Sequence, residues 1–96
     1  MYKIRWGYKT KNDFIRLNNF LKNKSSKAAY KIKPTIKKGC EALRDNPELG
    51  TSLKDSVGRR IWRIPFGRDE YVIFYVPDHE TKTINILKIY HSREDR

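Results

Sequence analysis

Tyr71-Val72-Ile73-Phe74-Tyr75-Val76, then Pro77-Asp78-His79-Glu80-Thr81, then Thr83-Ile84-Asn85-Ile86-Leu87-Lys88-Ile89-Tyr90, is the stretch that decides the fold. The first and third segments are rich in β-branched and aromatic residues, the side chains that fit a pleated surface. The five residues between them are a turn by composition. A connection this short joins antiparallel strands, because a parallel pair needs a crossover of a dozen or more residues. Upstream, Arg60-Ile61-Trp62-Arg63-Ile64 reads as another strand, and Phe66 to Glu70 as the turn that joins it to Tyr71. The last third of the chain is therefore an antiparallel meander of three strands.

Further upstream the period changes. Phe14, Leu17 and Leu21 fall at helical spacing, which predicts a first helix from about 11 to 23. Thr10-Lys11-Asn12-Asp13 has the form of a capping box, with the Thr10 hydroxyl accepting from the Asp13 N–H and the Asp13 carboxylate reaching back. Ser25 or Ser26 then offers a cap for a second helix. Ala29, Ile32, Ile36, Cys40 and Leu43 form one apolar stripe along it. Lys27, Lys31, Lys38 and Arg44 occupy the opposite face. Pro34 lies inside this segment, so either the helix bends there or it starts later than Ser26. Asn46-Pro47 ends it, and residues 47–58 read as a loop. At the N-terminus Tyr2 to Trp6 alternate like a short strand. The order is β-α-α-β-β-β, an α+β domain spanning 1–96 with a helical hairpin packed on a four-stranded antiparallel sheet.

Composition narrows the function. The 96 residues carry 22 basic and 11 acidic side chains, for a net charge of +11. Such a field draws polyanions, which points to nucleic acid, the ribosome or an acidic protein. No apolar run reaches the roughly 20 residues of a membrane helix, and no signal-peptide core opens the chain. A cytoplasmic protein without membrane partners is the expectation. Cys40 is the one thiol, and His79 and His91 are the two histidines. They form no ligand cluster, so no metal and no cofactor are expected. Cys40 sits on the apolar stripe and reads as a small core hydrophobe. His79 reads as a solvated turn residue, and Trp6 and Trp62 as core packing or interface anchors.

The element order resembles that of the RelE/ParE toxins, and the local sequence agrees. Asn46-Pro47-Glu48-Leu49-Gly50 is similar to the "NPxxG" that follows the second helix in that family. Arg60 to Ile64 and Tyr71 to Tyr75 resemble its "R-x-L-x-V…Y-x-V-x-Y" meander. Ile86-Leu87-Lys88-Ile89-Tyr90-His91-Ser92-Arg93-Glu94-Asp95 resembles its closing "I-L-x-V-x-H-x-R-x-D". The resemblance implies the toxin of a type II toxin–antitoxin (plasmid stabilisation) module, a growth inhibitor held silent by a cognate antitoxin. RelE-like members cleave mRNA in the ribosomal A site as metal-independent endoribonucleases. ParE-like members poison DNA gyrase. A non-toxic basic module that binds nucleic acid is the remaining alternative.

Under the ribonuclease reading, His91 would move the proton and Arg93 and Arg63 would stabilise the phosphorane. Tyr71 and Tyr90 would stack on bases. Two departures weigh against it. RelE-like enzymes often carry an arginine after the first tyrosine of the central strand, where this sequence has Val72, and a tyrosine on a C-terminal extension, whereas this sequence stops at Arg96. The closing His-Ser-Arg-Glu-Asp and the Pro47–Gly50 segment look more ParE-like, and that subgroup is preferred. The antitoxin would supply an acidic, amphipathic segment, its carboxylates meeting Lys31, Lys38, Arg60 and Arg63 and its apolar side chains meeting Ile61 and Trp62 on the sheet.

Overall fold

The computed structural model describes residues 1–94. Asp95, the last residue of the closing motif, lies outside them. The elements run β1 (Lys3–Trp6), α1 (Thr10–Lys22), α2 (Ser26–Tyr30), α3 (Ile32–Cys40), α4 (Ala42–Asp45), β2 (Thr51–Ser52), β3 (Arg60–Phe66), β4 (Asp69–Asp78) and β5 (Thr83–His91). The helices pack on one face of a five-stranded sheet of order β1-β5-β4-β3-β2. The meander stands as expected, with β3–β4 and β4–β5 antiparallel. Gly67 and Arg68 alone link β3 to β4, and the positive φ of 62° at Gly67 suits the first position of a primed hairpin turn.

The four-stranded antiparallel sheet is corrected on two counts. β1 pairs with β5 in parallel, Lys3 opposite Thr83 and Trp6 opposite Ile86. Short connections fix the direction of neighbours in the meander, but β1 reaches β5 only after the whole helical layer, so nothing local sets its sense. A fifth strand, β2, pairs Thr51 with Ile61 and Ser52 with Arg60 inside the expected loop. Two residues are too short to carry a period.

The second helix is three helices. Ser25 caps α2 by accepting the Ala28 N–H at 3.2 Å. The chain breaks at Lys31 and restarts at Ile32, which puts Pro34 in the first turn of α3. There its missing N–H is one of the donors a helix leaves free anyway, so no hydrogen bond is lost. The apolar stripe survives the breaks, with Ile32, Ile36, Cys40 and Leu43 all buried. These residues meet Leu17 and Leu21 of α1 and the inner sheet face of Ile64, Tyr71, Ile73, Tyr75, Ile84, Ile86 and Ile89. A β-bulge keeps β5 in register with this core. Phe74 pairs with Lys88 and Tyr75 with Ile86, so Leu87 is the extra residue and Ile86 and Ile89 both face inward. Cys40 is fully buried, and burial pushes its thiol up to about 12, as suits a core hydrophobe.

Candidate functional site

The expected capping box does not form. The Thr10 hydroxyl donates to the Gly7 carbonyl at 2.6 Å, and the Asp13 N–H bonds the Lys9 carbonyl. Asp13 instead turns its carboxylate to the sheet. β1 ends opposite Ile86, which leaves the next stretch of the β5 edge unpaired. Side chains of α1 close it. The Asp13 carboxylate accepts the Ile89 N–H at 3.0 Å, and the Arg16 guanidinium donates to the Ile89 carbonyl at 2.5 Å. Arg16 also donates to Asp13 at 2.6 Å and to Glu94 at 2.7 Å. Glu94 in turn accepts the His91 N–H at 2.8 Å. The Ile89 N–H and carbonyl and the His91 N–H thus each find a charged partner, and the His91 carbonyl accepts the Glu94 N–H. Burial alone would push the Glu94 carboxyl up, but Arg16 and the His91 N–H outweigh it and hold the group below its ordinary value. The Glu94 hydrogen bond holds the Arg16 guanidinium above its own.

His91 lies inside this clamp and is 2% exposed. Its Nδ1 accepts the Arg93 N–H at 3.1 Å, so the neutral ring carries its proton on Nε2, 3.9 Å from the Asp69 carboxylate. Phe20 and Tyr71 flank the ring at centroid distances of 5.2 and 5.6 Å. Desolvation lowers the imidazole pKa, against the pull of Asp69 and Glu94. Arg93 reaches back to Asp69 at 2.7 Å, and Arg63 pairs with Glu70 at 2.7 Å on the other face of the sheet. The three residues expected to cleave RNA therefore do not converge on one open surface.

The expected binding residues are dispersed. Tyr71 is corrected outright as a stacking platform: its ring is fully buried beside Phe66, and burial pushes its hydroxyl up to about 12. Arg60 donates to the Glu48 and Gly50 carbonyls at 3.1 and 2.6 Å, which makes it a staple for the Asn46–Gly50 segment. Tyr75 holds the same segment, its hydroxyl donating to the Pro47 carbonyl at 2.8 Å and accepting the Gly50 N–H at 2.9 Å. A Cβ at position 50 would lie 2.7 Å from the Ile61 carbonyl oxygen and from the Tyr75 ring, so glycine alone fits. Trp62 faces the helices and donates to the Gly39 carbonyl at 2.8 Å. Lys31 and Lys38 are exposed.

Tyr90 does sit on the outer sheet face. Its ring packs edge-on to Phe74, with the Arg16 guanidinium 5.4 Å and the Lys88 ammonium 5.7 Å from its centroid. Sequence reasoning missed Asp13, Arg16, Glu94 and Lys88. The Glu94–Arg16 pairing spans 78 positions and leaves no local signal. Among the described residues, no group of three histidine, cysteine or acidic side chains could hold a metal ion, and no helix is long and apolar enough to cross a membrane.

Comparison with known proteins agrees with this architecture. A family model described as the ParE toxin of the type II toxin–antitoxin system parDE matches residues 4–96. Toxin RelE1 of Caulobacter vibrioides is 30% identical over 88 residues, covering 92% of this chain and 90% of that protein. The chain belongs to the RelE/ParE family, as the toxin of a type II toxin–antitoxin module.

Proposed function

We propose that the chain arrests growth by binding and poisoning DNA gyrase, as ParE-like toxins do, and that an acidic, amphipathic antitoxin segment silences it. The observation that carries this reading is the state of His91. A general acid or base must reach the proton it transfers. This imidazole is buried, its Nδ1 is occupied by the Arg93 N–H, and aromatic rings stand on two sides. It serves the fold by closing the turn after β5. Arg93 and Arg63 then act as surface cations, open to a partner because exposed ion pairs contribute only about 0–1 kcal/mol.

A second reading, ribosome-dependent mRNA cleavage, draws on the outer sheet face. Tyr90, Lys88 and Arg16 there combine an aromatic ring with two cations, a pairing suited to bases and phosphates. The name of the Caulobacter relative, Toxin RelE1, points the same way. The purified protein separates the two. Inhibited supercoiling with trapped DNA cleavage in a gyrase reaction supports the first. Cleavage of mRNA on programmed ribosomes, with gyrase unaffected, replaces it with the second.

A further inference from the structure

β4 is apolar on both of its faces. Tyr71, Ile73 and Tyr75 point into the core, which puts Val72, Phe74 and Val76 on the opposite side. An antiparallel sheet with one face in water normally sets polar side chains there. Here the helices cover the inner face, and the outer one keeps its apolar strand. The register places Ile61 and Lys88 on either side of Phe74, and Arg63 and Tyr90 on either side of Val72. The Phe74 and Tyr90 rings meet edge-on at 5.8 Å, and neither is packed on the core. The cations round this strip already have carboxylates. Arg63 pairs with Glu70 at 2.7 Å, Arg16 with Asp13 and Glu94 at 2.6 and 2.7 Å, and Lys88 lies 3.7 Å from Asp13. On β1, Ile4 and Trp6 pack against the core, so the exposed Lys3 and Arg5 add positive charge to the outer side.

We propose that this helix-free face is where the chain grips gyrase: Ile61, Phe74, Val76 and Tyr90 bury against the enzyme, and Lys3 and Arg5 meet acidic side chains at the rim. The inference rests on the gyrase reading and names the surface that makes the contact. An apolar, aromatic centre inside a charged rim is the anatomy of a protein interface, and tyrosine anchors such contacts out of proportion to its frequency. A contiguous apolar patch on a sheet that no helix covers is itself the mark of a protein contact. A polyanion is the poorer fit. Its binding draws strength from cations that displace counterions from phosphates. Here the cations beside the rings are held by carboxylates, and Glu70 and Glu94 would repel phosphate. A rim of both signs suits a protein surface, which also carries both.

The test titrates the purified chain against immobilised gyrase, and in parallel against a fluorescent single-stranded oligonucleotide. Tyr90→Ala and Phe74→Ala should each weaken gyrase binding roughly tenfold or more. Melting temperatures check that both variants stay folded. Where either does not, a charge comparison decides: Arg5 and Lys27 are both exposed, the first on the proposed face and the second on the helical layer. R5E should slow association with gyrase about threefold or more relative to K27E, which makes the same change in net charge. Unchanged gyrase binding by the folded alanine variants, or equal rates for R5E and K27E where those variants unfold, overturns the surface and leaves gyrase as the target. Oligonucleotide binding that Tyr90→Ala abolishes, with gyrase binding unaltered, gives the face to nucleic acid instead. No binding of the parent chain to gyrase removes the gyrase reading itself, and this inference with it.

Discussion

The Asp13 carboxylate accepts the backbone N–H of Ile89 across 76 positions of sequence, at 3.0 Å. Asp13 thereby stands where another residue of β1 would have been. A sheet edge left open invites pairing with another chain, and here a helix closes it with a charged pair, Asp13 buried and Arg16 partly exposed. Replacing Asp13 with alanine leaves the Ile89 N–H without a partner and deprives Arg16 of one of its two carboxylates. Chemical denaturation should show a loss of about 1–3 kcal/mol. A loss within about 0.5 kcal/mol would mean that water replaces the carboxylate at no cost.

Tyr75 and Gly50 form the other tie. The Tyr75→Phe variant keeps the ring but loses the donor to Pro47 and the acceptor for Gly50. It should be destabilised by about 1–3 kcal/mol, since both backbone groups lose their partner. Residues 46–50 should then be cleaved faster in limited proteolysis. Unchanged cleavage would show that Arg60 alone holds the segment.

Gly39 tests how closely α3 approaches β3. Alanine is the better helix former by up to about 1 kcal/mol. A Cβ at position 39, however, would fall 2.6 Å from the Ile64 side chain, which is itself buried. Overpacking of this kind costs about 1–3 kcal/mol, so Gly39→Ala should lower the melting temperature. A rise would show that Ile64 repacks freely.

The strands of the meander were legible because alternation and β-branched residues are local signals. The limits of α1 were legible too, whereas the breaks that divide the second helix were not, and the capping box was not what it looked like. Thr10 and Asp13 have the right spacing, and only the position of Ile89 reveals that the carboxylate is needed elsewhere. The parallel pairing of β1 was invisible for the same reason. The Asn46–Gly50 segment could be matched to a family pattern, but its physical basis is a hydroxyl on β4. His91 and Arg93 were visible as residue types. Their roles follow from burial and from Glu94, which no spacing rule supplies.

Burial of His91 makes stability depend on pH. Its folded pKa is lowered, chiefly by desolvation. The unfolded chain therefore takes up a proton near pH 6.5, where the folded chain does not. The stability from this residue is complete above about pH 6.5 and is lost as pH falls through the folded pKa. The melting temperature should drop between about pH 7 and about pH 5, and should drop less steeply in a folded His91→Asn variant. Parallel slopes would show that the ring is solvated.

Pulse labelling of DNA and protein synthesis after induced expression in a bacterial host tests gyrase as the target most directly. Gyrase poisoning should give early arrest of DNA replication with a DNA-damage response, while translation continues at first. Immediate arrest of translation with replication intact would contradict it and make the chain a ribosome-directed nuclease.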